Sequence, residues 1–117
     1  MKLLFFVLNH TEKLEAVLTA FALKNICGAT ILESEGMARV LSNTNLESEI
    51  PFLGSLRAFL SPERKKSNII LAAIHENQLN EAIEAIESVV GDLTSKDTGV
   101  VFTMPIDFTK GMYNCGK

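Results

Sequence analysis

The sequence predicts an α+β domain: an antiparallel four-stranded sheet with two helices on one face, the strands and helices ordered βαββαβ. Three observations carry this. Two uninterrupted apolar runs, at 3–8 and 69–74, have the length and composition of central strands. Each is followed by a segment whose apolar residues recur at spacings of three and four, the helical period. Each of those segments then reaches a glycine and a further run of strand-forming residues. Strand, helix, strand, long loop, strand, helix, strand is the split βαβ arrangement of ferredoxin-like folds.

In chain order, the run at 3–8 shows no polar alternation and reads as a strand buried on both faces. Thr11 is placed as a helix N-cap, with Glu12 and Glu15 at the positive end of the helix. Leu14, Val17, Leu18 and Phe21 form its apolar face, and Lys24, Asn25 and Gly28 close it. A second strand runs from Ala29 to about Glu35, and Gly36 supplies a positive φ or a close backbone approach where that strand gives way to a loop. Residues 40–67 then lose regular patterning. Ser42, Asn43, Thr44 and Asn45 make a polar turn, and Ile50, Phe52, Leu53, Leu56, Phe59 and Leu60 recur at near-helical intervals around Gly54. Connections of this length are usually functional. After the run at 69–74, Asn77 opens a helix with Leu79, Ile83, Ile86 and Val90 inward and Glu81, Glu84 and Glu87 outward. Gly91 ends it, Gly99 opens the last strand, and Pro105 stops that strand.

Composition limits the function. With 117 residues, 47% of them hydrophobic, the chain reads as one domain over 1–117, with a long loop at 40–67 and a short tail at 106–117. A net charge of −3 gives no basic excess for nucleic acid. Cys27 and Cys115 form no CxxC and no Cys/His cluster, so both are expected as reduced thiols in a cytoplasmic protein. The apolar start ends at Asn9, too soon for a secretory leader or a membrane span. No Ser/His/Asp or Cys/His arrangement, HExxH or P-loop is present, so no catalytic residue and no enzyme activity are expected.

Two stretches carry a resemblance. GATILESEGMAR at 28–39 resembles the second strand and loop start of the nitrogen-regulatory PII signal-transduction proteins, and GDLTSKDTGVVF at 91–102 occupies the place of their glycine-rich phosphate loop. In element order the resemblance runs from 2 to about 106. It implies a homotrimer whose sheets line a central core, with an adenine nucleotide bound in the clefts between subunits and no resident cofactor. Carried over by position, Gly91, Thr94, Lys96 and Gly99 would face the phosphates, and Thr30, Gly36, Met37 and Arg39 the nucleoside. The 40–67 loop would contact an unknown protein target, a transporter or a metabolic enzyme, through Ile50, Phe52, Leu53, Leu56 and Phe59. The chemistry fits: backbone donors in a glycine- and threonine-rich turn make a concave anion site, and a lysine adds a point charge.

The chain also departs from the family. Val100 stands where a basic residue follows the last glycine, the tail has no arginine pair, and the only tyrosine is Tyr113 in the tail. Val40 replaces the glutamine that serves 2-oxoglutarate and magnesium in PII proteins.

Plain structural roles stand beside these. Arg39 would otherwise be a solvated strand-end residue and Lys96 a surface lysine, while Gly36 and Gly99 suit turns with or without a ligand. His10 and His75 have no second ligand at metal spacing, so capping or solvation explains them and no metal site is expected. Two other readings remain open. One is an oligomeric interaction module without a sensing site. The other is a metal-tolerance protein resembling CutA, which the lack of a ligand group disfavours.

Overall fold

A computed structural model describes residues 1–42 and 66–112. The strands are β1 (Lys2–Leu8), β2 (Thr30–Ser34), β3 (Ser67–Ile74) and β4 (Gly99–Pro105), and the helices are α1 (Leu14–Leu23), α2 (Met37–Ser42) and α3 (Leu79–Val90). The sheet order is β2-β3-β1-β4 and all neighbours are antiparallel. This is the ferredoxin-like arrangement, with the two apolar runs at its centre.

The core lies on the helix-covered face. Leu4, Phe6 and Leu8 of β1 and Ile70, Ala72 and Ile74 of β3 are buried beneath Val17 and Phe21 of α1 and Ala82, Ala85 and Ile86 of α3. Burying a side chain the size of Phe6 or Phe21 contributes about 1.5–3 kcal/mol, so this face holds the domain together. The same strands alternate. Leu3, Phe5, Val7, Ile69, Leu71 and Ala73 point to the other face and are only half-buried. On edge strand β4, Val100, Phe102 and Met104 lie on that face and are exposed. Phe5 and Phe102 pair across the strands edge to face, with ring centroids 6.1 Å apart.

Local chemistry sets the element ends differently from expectation. Thr11 does not cap α1. It begins a 3₁₀ turn, Thr11–Lys13, in which Lys13 N–H bonds His10 O at 2.9 Å, and the turn takes over the backbone donors a cap would satisfy. The exit of α1 belongs to Asn25 and not to Gly28. Asn25 adopts φ 61°, its N–H bonds Ala22 O at 3.0 Å, and Ile26 N–H bonds Phe21 O at 2.9 Å. That is a Schellman ending, and its hydrophobic pair is Phe21 and Ile26, both in the core. Before α3, residues Glu76–Gln78 form another 3₁₀ turn that includes Asn77, and Gln78 Oε1 accepts the N–H of His75 at 2.9 Å.

The inward face of α3 is also turned from the expected one. Ala82 and Ala85 are buried beside Ile86, whereas Ile83 is only half-buried. Small alanines let α3 approach the sheet and α1 closely, so packing goes to the residues that fit the gap and not to the largest ones.

Candidate functional site

The stretch at 28–39 folds as strand, two-residue link and helix. β2 ends at Ser34, and Gly36 O accepts the N–H of Val40 at 3.0 Å, the first bond of α2. Gly36 therefore acts as a helix N-cap, a position glycine tolerates well. It has no positive φ, and a Cβ built there meets nothing within 4 Å, so neither role expected for it applies. Met37 opens α2 and is 68% exposed, and Arg39 lies in the same helix. Thr30 is the first residue of β2 and pairs with Leu71, which places it in the Leu71, Phe5, Phe102 row of the uncovered face.

The 91–99 loop leaves α3 at Gly91, whose N–H bonds Glu87 O at 3.0 Å, and returns to the sheet at Gly99. Glycine is required at 99. Its φ is +152°, and a Cβ would stand 2.5 Å from Val7 O and 2.9 Å from the Phe6 ring. Between these glycines the loop satisfies its own donors. Thr94 donates to Asp92 Oδ1 twice, from its N–H at 2.9 Å and from its hydroxyl at 2.7 Å. Leu93 N–H donates to Glu87 Oε2 at 2.9 Å, and Ser95 N–H to Asp92 O at 2.9 Å. The Thr94 hydroxyl, then its N–H, hold the Asp92 carboxyl below the usual carboxylate range. An anion here competes with two resident carboxylates for the N–H groups of Leu93 and Thr94. Lys96 is exposed on the same loop.

The two stretches lie at one end of the sheet on opposite edges. Ser34 pairs with Ser67, and Leu8 pairs with both Asn68 and Gly99, so the end of β2 and the start of β4 are separated by β3 and β1. Three strand spacings put them about 14 Å apart within one chain. The hydrogen bond from Ser67 Oγ to Asn9 Oδ1, 2.9 Å long, lies between them. Gly36, Met37 and Arg39 therefore lie together beyond the end of β2, Gly91, Thr94, Lys96 and Gly99 make a second group, and Thr30, at the start of β2 in the middle row of the sheet, joins neither. The expected partner-contacting residues Ile50, Phe52, Leu53, Leu56 and Phe59 lie outside the described residues.

A cleft of about 240 Å³ opens at the opposite end of the sheet. Met1, Ile26, Cys27, Ala73, His75 and Met112 are among its lining residues, and none of the expected site residues is. Cys27, expected as a reduced thiol, is disulfide-bonded and exposed. Cys115, the only other cysteine in the sequence, lies outside the described residues. Disulfides are rare in reducing compartments, so cysteine chemistry no longer supports a cytoplasmic location. Among the described residues, no helix is long and apolar enough to cross a membrane, and no three His, Cys, Asp or Glu side chains group as a metal site. No family model and no curated protein matches the chain.

Proposed function

We propose that the chain is a PII-like signal-transduction regulator that works as a homotrimer and binds an adenine nucleotide in clefts between copies. One observation carries the reading: Gly36, Met37 and Arg39 follow the end of β2, and the 91–99 loop leads into β4 at the same end of the sheet on the opposite edge, so a second copy is needed to bring them together. A rotational assembly that sets the β2 edge of one copy beside the β4 edge of the next builds a repeated cleft from both. The uncovered face supports assembly, since Phe5, Leu71, Val100, Phe102 and Met104 on it are apolar and partly or largely exposed.

In this reading, Thr30, Gly36, Met37 and Arg39 of one copy hold the nucleoside side, and Gly91, Thr94, Lys96 and Gly99 of the next hold the phosphates. Binding biases the order of the 40–67 loop, and with it the affinity for a protein target, provided the ligand has different affinities for two loop states. Titration calorimetry with ATP, ADP, AMP and cyclic dinucleotides tests it. Saturable binding of one of them supports the reading, and a folded oligomer that binds none removes it.

A second reading has its own observation. The 91–99 loop already spends the N–H groups of Leu93 and Thr94 on Glu87 and Asp92, which suits an oligomeric interaction module that holds no anion. The same titration separates the two.

A further inference from the structure

At the far end of the sheet, β3 runs past one of its neighbours. The β2 ladder begins at Thr30, opposite Leu71, whereas β3 continues to Ile74 and pairs there with β1 alone. Strand alternation fixes where the spare backbone groups point. Ile106 N–H bonds Met1 O at 3.2 Å, so Met1 and, two residues on, Leu3 turn their N–H and C=O toward β4. Leu3 pairs with Ala73, so Ala73 turns its own N–H and C=O away from β1, toward the β2 side. Continued by two residues, the β2 register sets Gly28 opposite Ala73, but that pair is outside the ladder. Gly28 and Ala73 line instead the cleft of about 240 Å³. One ladder position is open there.

We propose that this cleft binds a small, uncharged, planar cyclic amide, whose C=O and N–H take the place of a strand residue opposite Ala73. Ala73 offers one donor and one acceptor side by side, and a ring with adjacent C=O and N–H answers both. The size fits. A dry cavity of about 150 Å³ admits benzene, so a cleft of about 240 Å³ has room for one substituted ring. The described lining residues include no Asp, Glu, Lys or Arg, so a charged ligand would lose its hydration there without a counter-ion. Met1 and Met112 supply thioethers, which make favourable contacts with ring edges. Gln78 spends its Oε1 on His75 N–H at 2.9 Å, and that bond leaves the amide Nε2 as a further donor for the ligand. Arg39 and the 91–99 loop lie at the other end of the sheet, so this site is separate from the proposed nucleotide cleft.

The test is a titration of the full chain followed by backbone amide NMR, with 2-pyridone, its N-methyl derivative and toluene as probes. 2-Pyridone should give saturable shifts at Gly28, Ala73 and Gln78, with the Ala73 N–H moving downfield as it gains an acceptor. The N-methyl derivative lacks the ligand's donor and should bind at least tenfold more weakly, and toluene should leave the Ala73 N–H in place. Gly28→Leu, which has open space at its Cβ, should abolish the 2-pyridone shifts while the β1 and β3 signals stay as in the wild type. No saturation by 2-pyridone, shifts confined to residues away from the cleft, or equal binding of the N-methyl derivative would each overturn the site, whether or not the Gly28→Leu variant folds. A folded Gly28→Leu variant that binds 2-pyridone as the wild type does would overturn it too.

Discussion

Ser67 Oγ donates a hydrogen bond to Asn9 Oδ1 at 2.9 Å, joining the residue after β1 to the first residue of β3 across 58 positions of sequence. Ser67 is 3% exposed, so its hydroxyl gains little from water once this bond is lost. Ser67→Ala is expected to lower unfolding free energy by about 0.5–1.5 kcal/mol, read as a shift in urea midpoint without a change in slope. The effect should not add to that of Asn9→Ala. Additive losses would show that the two residues act separately.

Gly99 and Gly28 are expected to part company on substitution. Gly99→Ala drives a Cβ into Val7 O and Phe6 while holding a positive φ, and should cost about 2 kcal/mol or more. Gly28 has open space and no positive φ, so Gly28→Ala should be neutral or stabilising by up to about 1 kcal/mol. Thermal melts of the two variants decide it, and equal losses would contradict the close approach at Gly99.

The Asp92 carboxyl should titrate below its ordinary value of 3.8. A depressed folded-state pKa contributes stability that is present above the unfolded pKa and is lost as pH falls through the folded one. Thr94→Ala removes the hydroxyl that contributes most, so the carboxyl carbon of Asp92, followed by NMR, should then titrate closer to 3.8. An unchanged midpoint would mean that Thr94 is not the cause.

Phe102 lies 52% exposed at the centre of β4, on the uncovered face and against Phe5. A glutamate there puts a charge into any interface built on that face but disturbs little in a single chain. Phe102→Glu should therefore convert the oligomer to a folded monomer in sedimentation, with the far-ultraviolet spectrum retained. A wild-type chain that is already monomeric at micromolar concentration would contradict the assembly.

Much of the fold was legible in the residues. The runs at 3–8 and 69–74 became the two central strands, but they are buried on the helix face only, and their second face, expected to be buried as well, is half-buried in the single chain. Val17 and Phe21 lie inward on α1 as their spacing requires. The misses have physical reasons. Asn25 makes the left-handed turn ascribed to Gly28 because asparagine also tolerates that conformation. Ala82 and Ala85 enter the core through close packing that hydropathy spacing does not weight. α2 forms where 40–67 was expected to begin as an irregular loop, since Gly36 starts a helix and does not simply release the strand. The bonded state of Cys27 was illegible, because disulfide formation depends on distance in space, which spacing along the sequence does not give. In the candidate site, the glycine and threonine turn was recognisable, but not that Asp92 and Glu87 would occupy its donors. That depends on which way α3 presents Glu87 at its end.

The central claim is that one binding site draws residues from two copies, and subunit mixing tests it most directly. Arg39→Ala and Lys96→Ala are each expected to abolish ATP binding measured by calorimetry on a wild-type protein that binds it. When the two variants are unfolded together and reassembled at equal ratio, about one cleft in four receives Arg39 from one copy and Lys96 from its neighbour. Binding should return at about that fraction of the wild-type stoichiometry with wild-type affinity. No recovery in the mixed oligomer, or a wild-type oligomer that binds no adenine nucleotide at all, would contradict the account.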